Sequence, residues 1–349
     1  MKAIQITQPC EIKLTDIPYP EIQPDEALVK IRYAGFCGSD LNTFFGRNAL
    51  AKMPVIPGHE IGGVIEAVGE NVPTHLIIGT PCTINPYTAC GNCTSCRNGR
   101  PNACRFNQTL GVQRDGAMCE YMAVRWDKII TDADISPKDF CLVEPMSVGF
   151  HAVRRGKVTG QDTVMALGCG MIGIGAIVGA TLRGAQVIVV DIDDDKLSLA
   201  RQLGSTFTIN SRTENVHEQL QALTGGSGPD VVIEAVGSPV TYQLAINEVA
   251  FTGRVVCIGY AKEQITFETK HFVQKELDIR GSRNALQEDF HAVMDYMKQG
   301  ACPIDKLISG IYPPEQVAMA FERWTADPAR IFRLLIEFNP PNNMNHYIY

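Results

Sequence analysis

The sequence lacks the features of nucleic-acid-binding proteins, disordered proteins and disulfide-stapled mini-proteins. Its 31 basic residues are outnumbered by 38 acidic residues, so there is no basic footprint for nucleic acid. Hydrophobic residues make up 45% and charged residues 20%, which excludes wholesale disorder. We find neither an internal repeat nor a low-complexity tract. A chain of 349 residues predicts roughly two or three domains, which bury enough apolar surface without disulfides.

An export signal and a membrane span are also missing from the sequence. The opening residues, MKAIQITQPCEIKLTD, alternate like a strand and lack the uninterrupted apolar core of a signal peptide. The longest apolar stretch, Val164 to Leu182, is broken by glycines and by Thr181, so it predicts a buried strand and helix. We therefore expect a cytoplasmic protein without membrane contact. In that compartment thiols stay reduced, and clustered cysteines more often bind metal than form disulfides.

Cysteine, by contrast, is abundant, and four of the twelve cysteines follow the spacing C-x2-C-x2-C-x7-C. These four are Cys90, Cys93, Cys96 and Cys104. Four thiolates on one short loop match a closed tetrahedral zinc site, which predicts a structural metal in a lobe at residues 88–106. An iron–sulfur protein would have a last gap near three residues followed by Pro, whereas Arg105 follows here. A zinc ribbon would need two C-x2-C pairs roughly 15–20 residues apart, and these four cysteines do not have that spacing.

A phosphate-binding loop is indicated by residues 168–173, which read G-x-G-x-x-G between an apolar strand and a helical run. A pyrophosphate would lie at the helix N-terminus, where unpaired N–H groups and the helix dipole favour an anion. Asp191 ends the next strand. A carboxylate there accepts hydrogen bonds from the ribose hydroxyls and repels a 2′-phosphate, so we expect the cofactor to be NAD rather than NADP. The alternative is that the glycines only permit helix–sheet packing. The following acids, Asp193 to Asp195, are expected to cap a helix.

The pattern of apolar runs predicts two kinds of domain. Residues 1 to about 140 hold short β-patterned runs separated by Gly and Pro. From about Asp162, six apolar strands alternate with helical patterns, which predicts a doubly wound parallel sheet. These strands are Thr163–Leu167, Gln186–Val190, Thr206–Ile209, Asp230–Ala235, Arg254–Gly259 and Glu276–Arg280. Beyond Gly281 the sequence predicts helices near Glu288–Lys298 and Pro314–Trp324 and a strand at Arg330–Phe338.

Three further segments carry metal-binding residue types: Cys37-Gly38-Ser39-Asp40, Gly58-His59-Glu60 and Glu144-Pro145. Together they supply a thiolate (Cys37), an imidazole (His59) and two carboxylates (Glu60 and Glu144), which suits a catalytic zinc with one exchangeable position. None is decisive alone, because a lone His is more often a satisfied core or surface residue. Zinc in such a site polarises an alcohol oxygen and lowers its pKa, after which hydride leaves for a nicotinamide.

With these residues the chain resembles the zinc-containing medium-chain dehydrogenase/reductase family, in its polyol (sorbitol) and threonine dehydrogenase branch. The matching stretches cover nearly the whole chain in order: AGFCGSD, PGHEIGGVIEAVG, the four-cysteine lobe, LVEPMSVGFHA, GCGMIGIGA with Asp191, and EAVG at 234–237. The resemblance implies an α/β protein with a GroES-like β-rich catalytic domain, residues 1–146 and 285–349. A Rossmann NAD-binding domain, residues 147–284, is inserted into it. A homodimer or a homotetramer is also implied.

The resemblance also assigns roles to single residues, with two zinc ions per chain. Cys37, His59 and Glu60 look like ligands of the catalytic zinc. Glu144 looks like a catalytic acid that either joins these ligands or holds the zinc-bound water. Ser39 resembles the hydroxyl that relays the alcohol proton. The residues where relatives contact the cofactor are Gly168, Gly170, Met171, Ile172, Gly173, Asp191, Lys196, Val236, Ile258, Gly259, Ser282 and Arg283.

Three positions carry further expectations. Asp40 is expected to orient the loop of Cys37. Relatives often carry a His where Asn42 stands, and Asn cannot titrate near neutral pH, so the proton is expected to leave through water or cofactor hydroxyls. Arg283 has two open interpretations, since it could bind a substrate hydroxyl or carboxylate or form a surface salt bridge.

These expectations converge on a zinc- and NAD-dependent oxidoreductase that oxidises a secondary alcohol of a polyol, sugar acid or related polar small molecule to the ketone. Glu60 and Glu144 together favour the polyol branch. A threonine or simple alcohol dehydrogenase is the enzymatic alternative, and it differs only in its substrate. A non-catalytic regulator that binds NAD and zinc is disfavoured, because Ser39, His59 and Glu144 would then have no reason to accompany an open metal site.

Overall fold

The structure is a computed structural model that describes residues 1–327 and 330–339. The chain forms two compact units, one of Met1–Glu144 with Met294–Tyr349 and one of Pro145–Val293. The expected domain boundaries after residues 146 and 284 stay predictions. Among the described residues, no helix combines the length and apolar character needed to cross a membrane.

The first segment of unit 1 is built mainly of short strands. They are β1 (Lys2–Gln8), β2 (Glu11–Asp16), β3 (Glu26–Gly35), β4 (Glu60–Val68), β5 (Pro81–Ile84), β6 (Tyr121–Arg125) and β7 (Ile129–Thr131). The helices are α1 (Gly38–Phe44), α2 (Thr94–Arg97) and α3 (Pro137–Phe140), with 3-10 turns at Pro101–Ala103 and Trp126–Lys128. In β1 the side chains of Ile4 and Ile6 are fully buried while Gln5 between them is not, as expected for a strand with one face on a core.

The middle of the chain alternates strands with helices. The helices are α4 (Val143–Arg155), α5 (Met171–Thr181), α6 (Asp194–Gln202), α7 (Val216–Thr224), α8 (Pro239–Glu248), α9 (Lys270–Gln274) and α10 (Gln287–Lys298). The strands are β8 (Thr163–Leu167), β9 (Gln186–Asp191), β10 (Phe207–Asn210), β11 (Val231–Glu234), β12 (Arg254–Cys257) and β13 (Asp278–Gly281). All six predicted strands are therefore present, with small differences at their ends.

These six strands form one parallel sheet in the order β10-β9-β8-β11-β12-β13. The central strands β8 and β11 are buried along nearly their whole length, as in a sheet covered by helices on both faces. The order reverses between β8 and β11, so the carboxyl ends of these strands flank a switch point, where ligands bind in doubly wound folds. The predicted doubly wound parallel sheet is confirmed.

The last segment of the chain completes the sheet of unit 1. Its elements are α11 (Ile304–Leu307), β14 (Gly310–Tyr312), a 3-10 turn (Pro314–Gln316), α12 (Val317–Ala326) and β15 (Leu334–Glu337). The seven-stranded sheet runs β14-β15-β3-β4-β5-β7, with β6 also paired to β3, and β1 pairs with β2 in a separate sheet. Phe36 packs edge-on against Phe321 at 4.6 Å between ring centroids, so both ends of the chain share one core.

Helices α4 and α5 approach closely because glycines stand at their contact. A Cβ atom on Gly175 would lie 2.3 Å from the carbonyl oxygen of Met146. A Cβ atom on Gly149 would lie 2.3 Å from the carbonyl oxygen of Ile172. These two positions therefore need glycine for the close approach of two backbones, which holds α5 in place beneath the glycine-rich loop.

Gly175→Ala is expected to destabilise unit 2 by about 2 kcal/mol, because the new methyl overlaps backbone that cannot move freely. This effect outweighs the higher helix propensity of alanine. Gly281→Ala is the matched control, since a Cβ atom there meets nothing within 4 Å. Thermal unfolding followed by circular dichroism measures both variants, and equal midpoints would contradict the proposed contact.

Candidate metal centres and cofactor loop

The first candidate metal centre lies at the starts of α1 and β4. Cys37 directly precedes α1, and its backbone N–H donates to Asp40 Oδ2 at 2.8 Å, so the buried Asp40 orients this turn as expected. His59 directly precedes β4, and Glu60 begins that strand. The ligand atoms of Cys37, His59 and Glu60 all lie within 4.8 Å of one another. The fold therefore brings together three of the predicted ligands of a catalytic zinc.

Several polar atoms of this centre are buried without a partner. His59 is 5% exposed and Glu60 is fully buried. Within the described part of the chain, Ser39 Oγ, His59 Nδ1 and Glu60 Oε1 have no hydrogen-bond partner. Buried polar atoms are nearly always satisfied, so several of them without a protein partner at one place suit a bound polar ligand. A thiol, an imidazole and a carboxylate are the donors that zinc prefers, so these residues fit that metal.

Cys37 and His59 also change each other's charge. Burial opposes both charged forms, but the neighbouring His59 lowers the pKa of the Cys37 thiol. Burial likewise opposes a charged His59, yet the Cys37 thiolate raises the pKa of His59 well above its ordinary value. The pair therefore favours a thiolate beside a protonated imidazole. Since zinc binds thiolate and neutral imidazole, a metal ion would take the place of that proton.

Arg333 is a residue of this centre that the sequence analysis missed. Its Nε atom lies 3.0 Å from Glu60 Oε2, and its Nη1 atom donates to the Phe36 carbonyl at 2.6 Å. Gly35 lies opposite Glu60 in the pairing of β3 with β4, and a Cβ atom there would come within 2.5 Å of Glu60 Oε2. Glu60 is therefore oriented by a buried arginine in a space that only glycine leaves open. The signal that the sequence offered for Arg333 was its position directly before the strand-like segment LLIEF.

Glu144 is buried but stands outside the closest set of ligand atoms. It is 4% exposed and accepts a hydrogen bond from the hydroxyl of Tyr87, a residue that the sequence analysis also missed. Its charge contributes to the raised pKa of His59, which places it within electrostatic reach of the centre. Of the two acids, Glu60 therefore belongs to the compact ligand set here, while Glu144 is held by Tyr87.

The four lobe cysteines form the second candidate metal centre. Their Sγ atoms all lie within 4.8 Å of one another, and Cys93 Sγ is 3.5 Å from Cys96 Sγ and 3.8 Å from Cys104 Sγ. The backbone N–H of Phe106 donates to Cys104 Sγ at 3.3 Å, as expected around thiolates. The Ser95 hydroxyl helps to lower the pKa of Cys93 to about 5. Four thiolate donors without an open position fit a closed, structural zinc site.

The glycine-rich loop lies between β8 and α5. Gly168 has φ +92°, a backbone conformation that favours glycine. A Cβ atom on Gly173 would lie 1.9 Å from the Gly168 carbonyl oxygen, whereas one on Gly170 would meet nothing within 4 Å. The first and third glycines are thus needed by the fold itself. The middle glycine leaves open space at the N-terminus of α5, where Met171 and Ile172 begin the helix and an anion is favoured.

Asp191 joins this loop to the end of β9. Its Oδ2 atom accepts the backbone N–H of Cys169 at 2.6 Å, and its Oδ1 atom accepts that of Ile192 at 2.7 Å. The carboxylate therefore lies beside the predicted pyrophosphate loop. Asp193 instead caps α6 by accepting the backbone N–H of Lys196 at 3.0 Å, which confirms its predicted capping role.

Lys196 lies in α6, and the remaining predicted cofactor residues lie on neighbouring loops of the same sheet edge. Val236 follows β11, and a Cβ atom on Gly168 would come within 2.6 Å of its Cγ2 atom. Ile258 and Gly259 follow β12. Ser282 follows β13, and its buried Oγ atom has no hydrogen-bond partner among the residues described. Arg283, next in the chain, is exposed.

Two family models match the chain. Residues 23–134 match the alcohol dehydrogenase GroES-like domain, and residues 172–299 match the zinc-binding dehydrogenase domain. The first match lies in unit 1, and the second covers most of the parallel sheet.

Known proteins are similar over nearly the whole chain. L-galactonate-5-dehydrogenase of Escherichia coli (strain K12) is 33% identical over 340 residues, which cover 97% of this chain and 99% of that protein. Sorbitol dehydrogenase of Bacillus subtilis (strain 168) is 32% identical over 330 residues, or 93% of each chain. An alcohol dehydrogenase from Escherichia coli CFT073, solved with NADH, superposes with a TM-score of 0.89 at 29% identity, covering 97% of this chain and 99% of that one. Because such relatives span both units, the chain belongs to the family of zinc-binding alcohol dehydrogenases with a GroES-like domain, which confirms the predicted family and fold class.

Proposed function

We propose that the protein is a zinc- and NAD-dependent oxidoreductase that oxidises a secondary alcohol of a polyol, sugar acid or related polar small molecule to the ketone. The observation that carries the proposal is the compact set of Cys37, His59 and Glu60 beside the unpartnered Ser39 hydroxyl. The similarity to an L-galactonate dehydrogenase and a sorbitol dehydrogenase supports this substrate class.

Cys37, His59 and Glu60 would hold the catalytic zinc, with Glu144 as a second acid within electrostatic reach. When bound, zinc supplies a Lewis acid that stabilises a deprotonated alcohol oxygen. Ser39 Oγ would accept the alcohol proton while its own hydroxyl proton leaves to water or a cofactor hydroxyl. Among the described residues, no group is hydrogen-bonded to this hydroxyl. Tyr87 keeps Glu144 oriented by its hydrogen bond.

The loop of residues 168–173 and the N-terminus of α5 would bind the pyrophosphate of NAD. Asp191 would accept hydrogen bonds from the ribose hydroxyls. When bound, NAD supplies the hydride acceptor. Asp191 places a negative charge where a 2′-phosphate would lie, which favours NAD over NADP. Val236, Ile258, Gly259 and Ser282 are the proposed lining of the nicotinamide side.

We also propose a cytoplasmic location and a homodimer or homotetramer. The location is supported by the twelve cysteines, all of which are free, because two thiolate-containing metal centres need a reducing compartment. The assembly is proposed from the family resemblance alone. A threonine or simple alcohol dehydrogenase remains the alternative for the substrate.

A substrate panel tests the activity. Polyols, aldonates, threonine and simple alcohols are offered with NAD, and NADH formation is followed by absorbance. We expect the highest kcat/KM for a polyol or an aldonate, and loss of turnover after zinc is removed by a chelator. A Cys37→Ser variant should likewise lose at least about 1000-fold in kcat, because a metal ligand is missing. Unchanged turnover without zinc would contradict the mechanism, and a preference for threonine would favour the alternative.

The zinc content of cysteine variants separates the two centres. Wild-type protein is expected to bind two zinc ions per chain. Cys37→Ser should lose one of them, and its unfolding temperature should fall because His59 and Glu60 then stay buried without a cation. Cys96→Ser should lose the other and unfold at a lower temperature, because the lobe has little core of its own. Atomic emission and calorimetry provide both readings, and one zinc in wild-type protein would exclude the two-centre proposal.

Cofactor choice tests Asp191. Asp191→Asn keeps a hydrogen-bond acceptor but removes the charge, so the preference for NAD over NADP in kcat/KM should fall about tenfold or more. Asp193→Asn is the matched control, because Asn caps a helix as well as Asp does and this side chain serves α6. An unchanged preference in Asp191→Asn would argue against the ribose assignment.

A further inference from the structure

Glu234 is a fully buried acid at the switch point of the parallel sheet, and none of the roles above uses it. It is the last residue of β11, next to β8. Its Oε1 atom accepts three hydrogen bonds, from the backbone N–H of Val236 at 3.0 Å, the backbone N–H of Gly237 at 2.8 Å and the Thr241 hydroxyl at 2.8 Å. One oxygen of Glu234 therefore fixes the whole turn that leads from β11 into α8.

The second carboxylate oxygen is in a different situation. Glu234 Oε2 is buried, and no hydrogen-bond donor among residues 1–327 and 330–339 reaches it. The ion pairs found in that part of the chain do not include Glu234 either. A buried carboxylate without a cationic partner is costly, because hydrogen bonds on one side offset only part of its desolvation. The free side of this carboxylate is therefore suited to interact with a positive charge.

The turn held by Glu234 touches the other loops at this sheet edge. Val236 fills the space beside Gly168, where a Cβ atom would come within 2.6 Å of it. Gly259 is equally close to Gly237, since a Cβ atom on Gly259 would lie 2.4 Å from the Gly237 nitrogen. The loops after β8, β11 and β12 thus pack on one another, and ligands of doubly wound folds bind at this edge.

The loop after β12 is tied to the same helix. The Tyr242 hydroxyl, one position after Thr241 in α8, donates to the Gly259 carbonyl at 2.5 Å. Thr241 and Tyr242 therefore connect α8 to the end of β11 and to the loop after β12, two of the places proposed to line the nicotinamide side. A change at Glu234 would be transmitted to this lining through short, direct contacts.

We propose that Glu234 is a positioning residue that fixes the nicotinamide loops and whose negative charge makes the site favour the oxidised cofactor over the reduced one. The oxidised nicotinamide ring carries a positive charge, whereas the reduced ring is neutral. A carboxylate in low-dielectric surroundings attracts the first ring and not the second, and such an attraction does not need direct contact. This inference rests on the proposed binding of NAD and extends it to the preference between its two redox forms.

The test is the ratio of two dissociation constants, measured on the full-length, zinc-loaded protein. Binding of NADH is followed by its fluorescence, and binding of NAD+ by displacement of NADH. Glu234→Gln keeps the shape of the side chain and removes its charge. We expect this variant to raise the Kd for NAD+ about fivefold relative to the Kd for NADH. A purely structural role would raise both constants by the same factor, which would overturn the electrostatic part.

Thr241 provides the matched control. Thr241→Val removes one of the three hydrogen bonds on Glu234 Oε1 without changing any charge, so both constants should rise together and their ratio should stay at the wild-type value. Thr241→Ser restores a hydroxyl and should restore both constants. If Thr241→Val shifts the ratio as far as Glu234→Gln does, charge is not the cause and the proposal is overturned.

Glu234→Asp keeps the inference testable if the Gln variant does not fold. Aspartate retains the charge but shortens the side chain, so both constants should rise while the ratio stays near that of the wild type. A ratio that moves toward NADH in Glu234→Asp contradicts the proposal. Wild-type protein that binds neither cofactor form would instead refute the proposed NAD-dependent function, whereas wild-type binding with an unchanged ratio in Glu234→Gln refutes this inference alone.

Discussion

The burial of unpaired polar atoms around Cys37, His59 and Glu60 is the constraint on which unit 1 depends. The His59 imidazole and the Glu60 carboxylate are both buried, and burying either of them alone would cost free energy. A cation bound by Cys37, His59 and Glu60 would offset most of that free-energy cost at once. The same demand explains why Asp40 is buried beside Cys37, since its carboxylate holds the backbone turn that aims the thiolate.

The same centre depends on how the strands of unit 1 pair. Arg333 reaches Glu60 only because β15 pairs with β3, and β3 pairs in turn with β4. Gly35 leaves the room that the Glu60 carboxylate occupies. The segment after unit 2 is therefore more than a closing strand, because it supplies the buried arginine that orients a metal ligand.

In unit 2 the constraint is different, because backbone segments approach one another closely and leave space for an anion at the glycine-rich loop. Gly168 and Gly173 are needed by the turn itself, whereas Gly170 borders open space. Acids hold the neighbouring loops by accepting backbone N–H groups: Asp191 does so for the glycine-rich loop and Glu234 for the turn after β11. The proposed cofactor site is thus framed by side chains that first satisfy the backbone.

Local spacing in the sequence was enough to predict the four-cysteine lobe, the glycine-rich loop with Asp191, and the six strands of the parallel sheet. These features depend on residues close together in the chain, where spacing alone limits the geometry. Residue types alone suggested that the segments of Cys37, His59 and Glu60 form a zinc site, and the family resemblance then assigned these three residues as its ligands. Arg333, Tyr87 and the buried carboxylate of Glu234 emerged only from the tertiary structure. Their roles depend on strand pairing and burial, and a linear sequence does not show which distant residues share a water-free space.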